Sequence, residues 1–203
     1  MNQPNSYLHY QELNKSVMHE FELISNEFSN FQKESNLQCL PGCGKCCFKP
    51  DVFCSPVELL PMALHLYQIG KAEDYLERSR LNQGFRCLFL NVANEAEFKG
   101  SCSKYEYRPL VCRTFGASAR HVKNQKIEFS VCKILKEENS EDFKKLSQFQ
   151  ENNSERQLPF IDLCKNRLIA LDPKFLDEEF PINKSLSIML EKILFLSQFW
   201  NEK

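Results

Sequence analysis

Cysteine is the residue of this chain with the most chemistry to offer. Ten occur in 203 residues, about 5 %, which lies below the roughly 8–10 % of a small disulfide scaffold and above what a core of this size calls for. Four fall within nine positions as Cys39, Cys43, Cys46 and Cys47, a C-x3-C-x2-C-C run in which Gly42 and Gly44 supply the tight backbone that converging thiolates need. Cys87, Cys102, Cys112 and Cys132 follow at wider spacing. Two of them sit inside Gly100-Ser101-Cys102-Ser103-Lys104-Tyr105 and Arg108-Pro109-Leu110-Val111-Cys112-Arg113-Thr114-Phe115. Pro109 sets the direction of the chain just before a thiol.

Grouped thiolates carry several negative charges, and the segments around them bear compensating cations: Lys45 and Lys49 in the first, Arg86, Lys104, Arg108 and Arg113 in the second. Nearby cations lower thiol pKa values and favour the thiolate that binds metal. Adjacent Cys46 and Cys47 are expected to aim their sulfurs at different centres, or one of them to sit behind the ligands as a redox thiol. Eight cysteines suit two four-thiolate sites. Zinc takes four thiolates at about 2.3 Å, but its knuckles usually hold two separated cysteine pairs. Iron-sulfur clusters accept compact runs of thiols, so the crowding leans toward iron-sulfur and leaves zinc open. A C-x3-C-x2-C core is also the ligand triplet of radical-SAM enzymes, but this chain has neither the strands nor the length for their barrel. The plainer alternatives are buried apolar cysteines and disulfides, which gain weight only outside the cell.

The remaining composition narrows the function classes. With 26 basic and 27 acidic residues the formal charge is -1 and the pI about 6.4, so there is no electrostatic footprint for nucleic acid or an anionic membrane. Hydrophobic residues at 42 % with 17 Phe, against 6 Gly and 9 Pro, describe a chain that packs a core. The polar start Met1-Asn2-Gln3-Pro4-Asn5-Ser6 carries no export signal. The most apolar stretch, Ile182 to Trp200, is interrupted by Lys184, Glu191 and Lys192 and falls short of the roughly 18 apolar residues of a spanning helix. A cytoplasmic location is expected, where thiols stay reduced and a cysteine cluster points to metal or redox chemistry. No G-x-S-x-G, P-loop or dinucleotide glycine fingerprint is present. His9, His19, His65 and His121 are scattered, and only His121 lies near the second motif. Cys54, beside a helix cap at Ser55, and Cys164, in the pattern Phe160-Ile161-Leu163-Cys164-Leu168, read as core.

The elements that must position these thiols are mostly helical. Tyr7, Tyr10, Asn14, Val17, Phe21, Ile24, Phe28 and Phe31 recur in steps of three and four, which predicts one long amphipathic helix ending before Cys39-Leu40-Pro41-Gly42. Its stripe serves a core, or a protein partner, since the mean step of 3.5 also suits a coiled-coil seam. Ser55-Pro56-Val57-Glu58 predicts an N-cap, a first-turn proline and a capping-box glutamate opening a helix that closes at Gly70, with Pro61 kinking or splitting it. A helix over Ala72 to Asn82 ends at Gly84. Phe85 to Gly116 reads as irregular, with Cys87-Leu88-Phe89-Leu90 and Lys126 to Val131 as short strands. Helical periods return over Glu141 to Phe149, Pro159 to Leu171 and Ile182 to Trp200, with a loop at Asn152 to Glu155. The fold class is mainly α with irregular cysteine-rich metal-binding loops and at most a few short strands. A single domain over 1–203 divides into the amino-terminal helix (1–37), a cysteine-cluster core (39–132) and a carboxyl-terminal helical part (133–203).

The C-x3-C-x2-C-C run, Cys87-Leu88-Phe89-Leu90, Cys102-Ser103-Lys104-Tyr105 and the Arg-Pro-x-x-Cys-Arg-x-Phe segment together resemble the YkgJ-type cysteine-cluster family, a zinc- or iron-chelating domain. The likeness spans Cys39 to Cys132. Leu88 stands where that family usually has proline. The resemblance implies metal chelation by Cys39, Cys43, Cys46, Cys47, Cys87, Cys102, Cys112 and Cys132, with an iron-sulfur cluster or Zn as cofactor. Relatives are often labelled iron-sulfur oxidoreductases, and flagellin lysine N-methylases carry a related domain. Three functions follow as expectations: an iron-sulfur redox protein, a structural zinc module that offers its amino-terminal helix to a partner, and a lysine N-methylase-like enzyme.

Overall fold

The computed structural model describes residues 6–123, 126–149, 158–176 and 178–200. The chain runs α1 (Ser6–Glu34), β1 (Phe53–Cys54), α2 (Leu60–Gln68), α3 (Ala72–Leu81), β2 (Leu90–Asn94), β3 (Lys99–Cys102), α4 (Leu110–Thr114), β4 (Ala117–His121), β5 (Ile127–Val131), α5 (Lys133–Glu138), α6 (Ser140–Phe149), α7 (Ile161–Leu171), β6 (Phe180–Pro181) and α8 (Ile182–Ser197). It is mainly α, and the described strands form only two-stranded antiparallel pairs: β1 with β6, β2 with β3 and β4 with β5.

The three-and-four spacing of α1 puts Val17, Phe21, Ile24 and Phe28 on one face, and that face is buried in the chain's own core. Helix α8 contributes Leu186, Met189, Leu190 and Ile193 to the same core. Its charged interruptions stay outside the apolar stripe, and Glu191 accepts from Arg80 of α3 at 2.8 Å. Each such fully buried Leu, Ile or Phe contributes about 1.5–3 kcal/mol. Arg167 of α7 fastens that helix to α1 through Glu27 (2.8 and 3.2 Å). A second, smaller core joins Phe31 at the end of α1 to Leu37, Ala117, Val131, Leu135 and Leu146.

Ser55, Pro56 and Glu58 do open a helical segment, but as a 3-10 turn over Pro56–Leu59; Pro61 then lies in the first turn of α2, where its missing N–H costs nothing. Two expectations are corrected between Phe85 and Gly116. Cys87 to Phe89 is a turn closed by Leu90 N–H donating to Cys87 O (3.1 Å), so the strand begins only at Leu90. The stretch also holds β3 and the five-residue α4, each too short to show a period. Helix α5 was likewise hidden by its six-residue length. The loop expected at Asn152 to Glu155 lies outside the described residues. No helix among them is long and apolar enough to cross a membrane.

Candidate metal centre

The cysteine loop between α1 and β1 has little regular structure and is braced by the β2–β3 hairpin. Gly44 N–H donates to Phe98 O (3.0 Å) and Gly100 N–H to Gly42 O (2.9 Å), with Cys43 bridged to Lys99 between them. Both glycines are tightly enclosed here. A Cβ on Gly100 would lie 2.6 Å from Asn91 O, and one on Gly44 would lie 3.2 Å from Gly100 N. Cys87 N–H donates to Cys47 O (2.9 Å), and β2 sets Leu90 opposite Cys102. Helix α4 carries Cys112. Its first amide, Leu110 N–H, donates to the buried Glu58 Oε2 (2.8 Å), while Glu58 Oε1 accepts from Ser55 N–H (3.0 Å).

These contacts bring Cys39, Cys43, Cys46, Cys47, Cys87, Cys102 and Cys112 around one cavity of about 630 Å³. Cys132 does not line it but lies close by: its N–H donates to Gly116 O (2.7 Å), and Cys39 Sγ sits 3.1 Å from where a Cβ on Gly116 would stand. Gly116 also has φ +104, a conformation that side-chain-bearing residues rarely adopt. All ten cysteines are free thiols. The sulfurs of Cys46 and Cys47 are 3.9 Å apart. That separation is close to the edge of a tetrahedron built on metal–sulfur bonds of about 2.3 Å. The opposite wall comes from α1, whose Ser25, Ser29 and Gln32 face the cavity one helical turn apart.

Charge around the thiols differs from the sequence expectation. Burial pushes Cys39 up to about 11 and Cys87 up to about 12, and it also raises Cys102, Cys112 and Cys54; neighbouring thiols add to the shift in each. Desolvation therefore outweighs the cations at most of the set. Cys46 alone is lowered, to about 7, first by the hydrogen bond from Cys47 and in part by Arg108; Cys47 is raised by the same bond. Arg108 favours the thiolate at Cys39, Cys46, Cys102 and Cys112. Its guanidinium lies 3.4 Å over the Tyr105 ring and donates to Tyr105 O (3.0 Å) and Cys112 O (3.1 Å). Three of the other expected cations have further partners of their own. Arg113 donates to Ser25 Oγ (2.7 Å), Arg108 O (2.7 Å) and Glu106 O, Arg86 pairs with Glu95 (2.8 Å), and Lys45 lies over Phe98.

At the rim, Lys104 Nζ donates to His65 Nε2 (3.0 Å), which leaves the imidazole proton on Nδ1, facing the Tyr107 hydroxyl at 3.2 Å. Burial, followed by the adjacent Lys104 ammonium, holds His65 below the usual imidazole range. Glu58 and this rim trio were not marked as functional by the sequence; the capping-box position was the one available signal for Glu58. His121 serves a different purpose: its Nδ1–H donates to Asp162 Oδ2 (2.6 Å) and its ring stacks on Phe160. Cys54 and Cys164 are buried, as expected.

The donor set suits a thiophilic metal: several thiols share one cavity and raise one another's pKa, and a bound cation removes that penalty by holding them as thiolates. Among the described residues no group of three His, Cys, Asp or Glu side chains already stands gathered for a single metal ion. A scan against family models matches residues 38–149, more than half of the chain, to CxxCxxCC, described as a "putative zinc- or iron-chelating domain". The chain belongs to this family. No curated protein and no solved structure matches it. The CxxCxxCC match contains all eight motif cysteines and continues through α5 and α6 past Cys132, where the sequence resemblance stopped. Zinc or iron is thus the metal class for the thiols.

Proposed function

We propose that the cavity holds an iron-sulfur cluster and that the protein is a redox protein exchanging electrons with a partner. The observation that carries this reading is that seven thiols line one space of about 630 Å³. One zinc ion needs only four sulfurs at about 2.3 Å, and a water molecule occupies about 30 Å³ of liquid. A polynuclear centre uses such a space better. Cys47, Cys87, Cys102 and Cys112 are the residues proposed to hold it, and a cluster there would supply one-electron chemistry.

The chain's own contribution is positioning and charge. Glu58 fixes the start of α4 and so the place of Cys112, while the Gly44–Gly100 contact fixes the loop that bears Cys47. Arg108 supplies positive charge against the thiolates, a factor that raises reduction potential. Anaerobic purification of the full chain tests the reading. Iron with acid-labile sulfide, and a brown chromophore bleached by dithionite, is the expected result. Colourless protein with zinc alone would overturn the redox reading.

A further inference from the structure

We infer that the cavity binds, beside its metal, a small organic dianion, a dicarboxylate or a phosphate ester, for which Lys104, Arg108 and Arg113 are the counter-charges and α1 is the polar wall. The thiols account for the metal; the anion site uses different side chains.

Positive charge without a carboxylate is the first argument. Among the described residues Arg78, Arg80, Arg86, Arg120 and Arg167 each form an ion pair with Asp or Glu. The two described arginines that form none, Arg108 and Arg113, both line the cavity, and Lys104 lines it with them. Neutral acceptors hold all three. Lys104 Nζ donates to His65 Nε2 (3.0 Å), Arg108 to the carbonyls of Tyr105 and Cys112, and Arg113 to Ser25 Oγ (2.7 Å) and the carbonyls of Phe21 (3.3 Å), Glu106 and Arg108. Glu106, the acid among the described lining residues, gives Arg113 its carbonyl, while its carboxylate bears on Tyr107. Taking a guanidinium out of water without a counter-ion is costly. Burial, with the charge of Arg108 beside it, accordingly lowers Arg113 to about 10.

The donors are also placed for a ligand. His65 takes one of the three ammonium protons of Lys104 and is itself backed by the Tyr107 ring, stacked at 4.6 Å. Lys104 is thus positioned while its charge stays uncancelled. Arg108 Nη2 has no acceptor among the described residues, and a planar guanidinium matches the oxygens of carboxylate and phosphate. The α1 wall runs from Ser25 to Gln32 with no cysteine in it. On that wall the Asn26 amide and the Ser29 hydroxyl make no hydrogen bond among the described residues, so both are available to a ligand. The cavity, about 630 Å³, falls within the roughly 300–1,000 Å³ of small-molecule sites.

Isothermal titration of the full chain, purified anaerobically with its metal, tests the site at low ionic strength with two probes, succinate and inorganic phosphate. Saturable binding of one equivalent is expected for at least one of them. Succinate alone marks a carboxylate ligand, phosphate alone a phosphate ester. Lys104→Gln should weaken that binding about tenfold at unchanged metal content, Arg108→Gln by a similar factor, and Ser29→Ala by less. Arg86→Gln removes a carboxylate-paired arginine outside this cavity and should leave binding unchanged; circular dichroism checks the folding of every variant. Absence of saturable binding for both probes would assign the three cations to the thiolates alone and overturn the inference. Binding that Lys104→Gln or Arg108→Gln leaves unaffected, as an anion held by the metal alone would give, or that Arg86→Gln weakens equally, would overturn it too. Failure of the metal reading shows separately, as protein purified without zinc or iron.

Discussion

At the scale of single residues, burial rather than nearby cations decides how the thiols ionise without metal. Cys46 is the exception, and its hydrogen bond from Cys47 is the main cause. Cys47→Ala should therefore move the pH midpoint of Cys46 alkylation, read by peptide mass spectrometry on metal-free protein, from about 7 upward toward the ordinary 9.0. Arg108→Gln should move it in the same direction by less. An unmoved midpoint in Cys47→Ala would refute this account of the pair. The raised thiols make a second prediction. Cys39 and Cys87 keep their protons in the folded state up to about 11 and 12, against 9.0 ordinarily. The stability they contribute is complete below 9 and is lost as pH rises through those folded values. Denaturant unfolding of metal-free protein should show stability falling above pH 9, whereas metal-loaded protein, whose thiols are already deprotonated, should lose less. The sequence made the cysteines legible but not their ionisation, because lysines and arginines near in sequence, such as Lys45 and Arg86, turn to rings and carboxylates elsewhere.

At the scale of elements, the site depends on two joints. Glu58 satisfies the amides of Ser55 and Leu110 from a buried position, and each buried donor left without a partner costs about 1–3 kcal/mol. Glu58→Ala should lower the melting temperature and also weaken metal binding, since α4 carries Cys112; full metal content with lowered stability would confine Glu58 to a folding role. Gly100→Ala places a methyl group 2.6 Å from Asn91 O. It should distort the β2–β3 pairing that holds Cys102 and braces the cysteine loop, and reduce bound metal while leaving helical circular dichroism unchanged. The long helices could be read from periodicity, as α1 and α8 show. The hairpin brace could not, because β3 spans only four residues and its pairing with the loop is a contact between glycines distant in sequence. Helix α4 escaped notice for the same reason of length, although Pro109 just before it marked the place.

At the scale of the whole molecule, a helical shell built on α1, α2, α3, α7 and α8 supports loops that cannot order themselves. Phe21 shows the dependence: it is fully buried, its ring lies 4.4 Å beneath the Arg113 guanidinium and its carbonyl accepts from the same group. Phe21→Ala should cost about 3–5 kcal/mol, measured by denaturant unfolding; a cost below 1 kcal/mol would show that this core does not carry the Arg113 segment. The gathering of seven cysteines from three separate segments into one cavity follows from this shell, and only the motif spacing hinted at it in advance. The claim beneath all else is that sulfur atoms of this chain are the metal's ligands. X-ray absorption at the metal edge of anaerobically purified full-length protein tests it most directly. The account predicts a first coordination shell of sulfur, at about 2.3 Å for zinc or iron. A shell made of oxygen and nitrogen alone, or protein without bound metal, would contradict it.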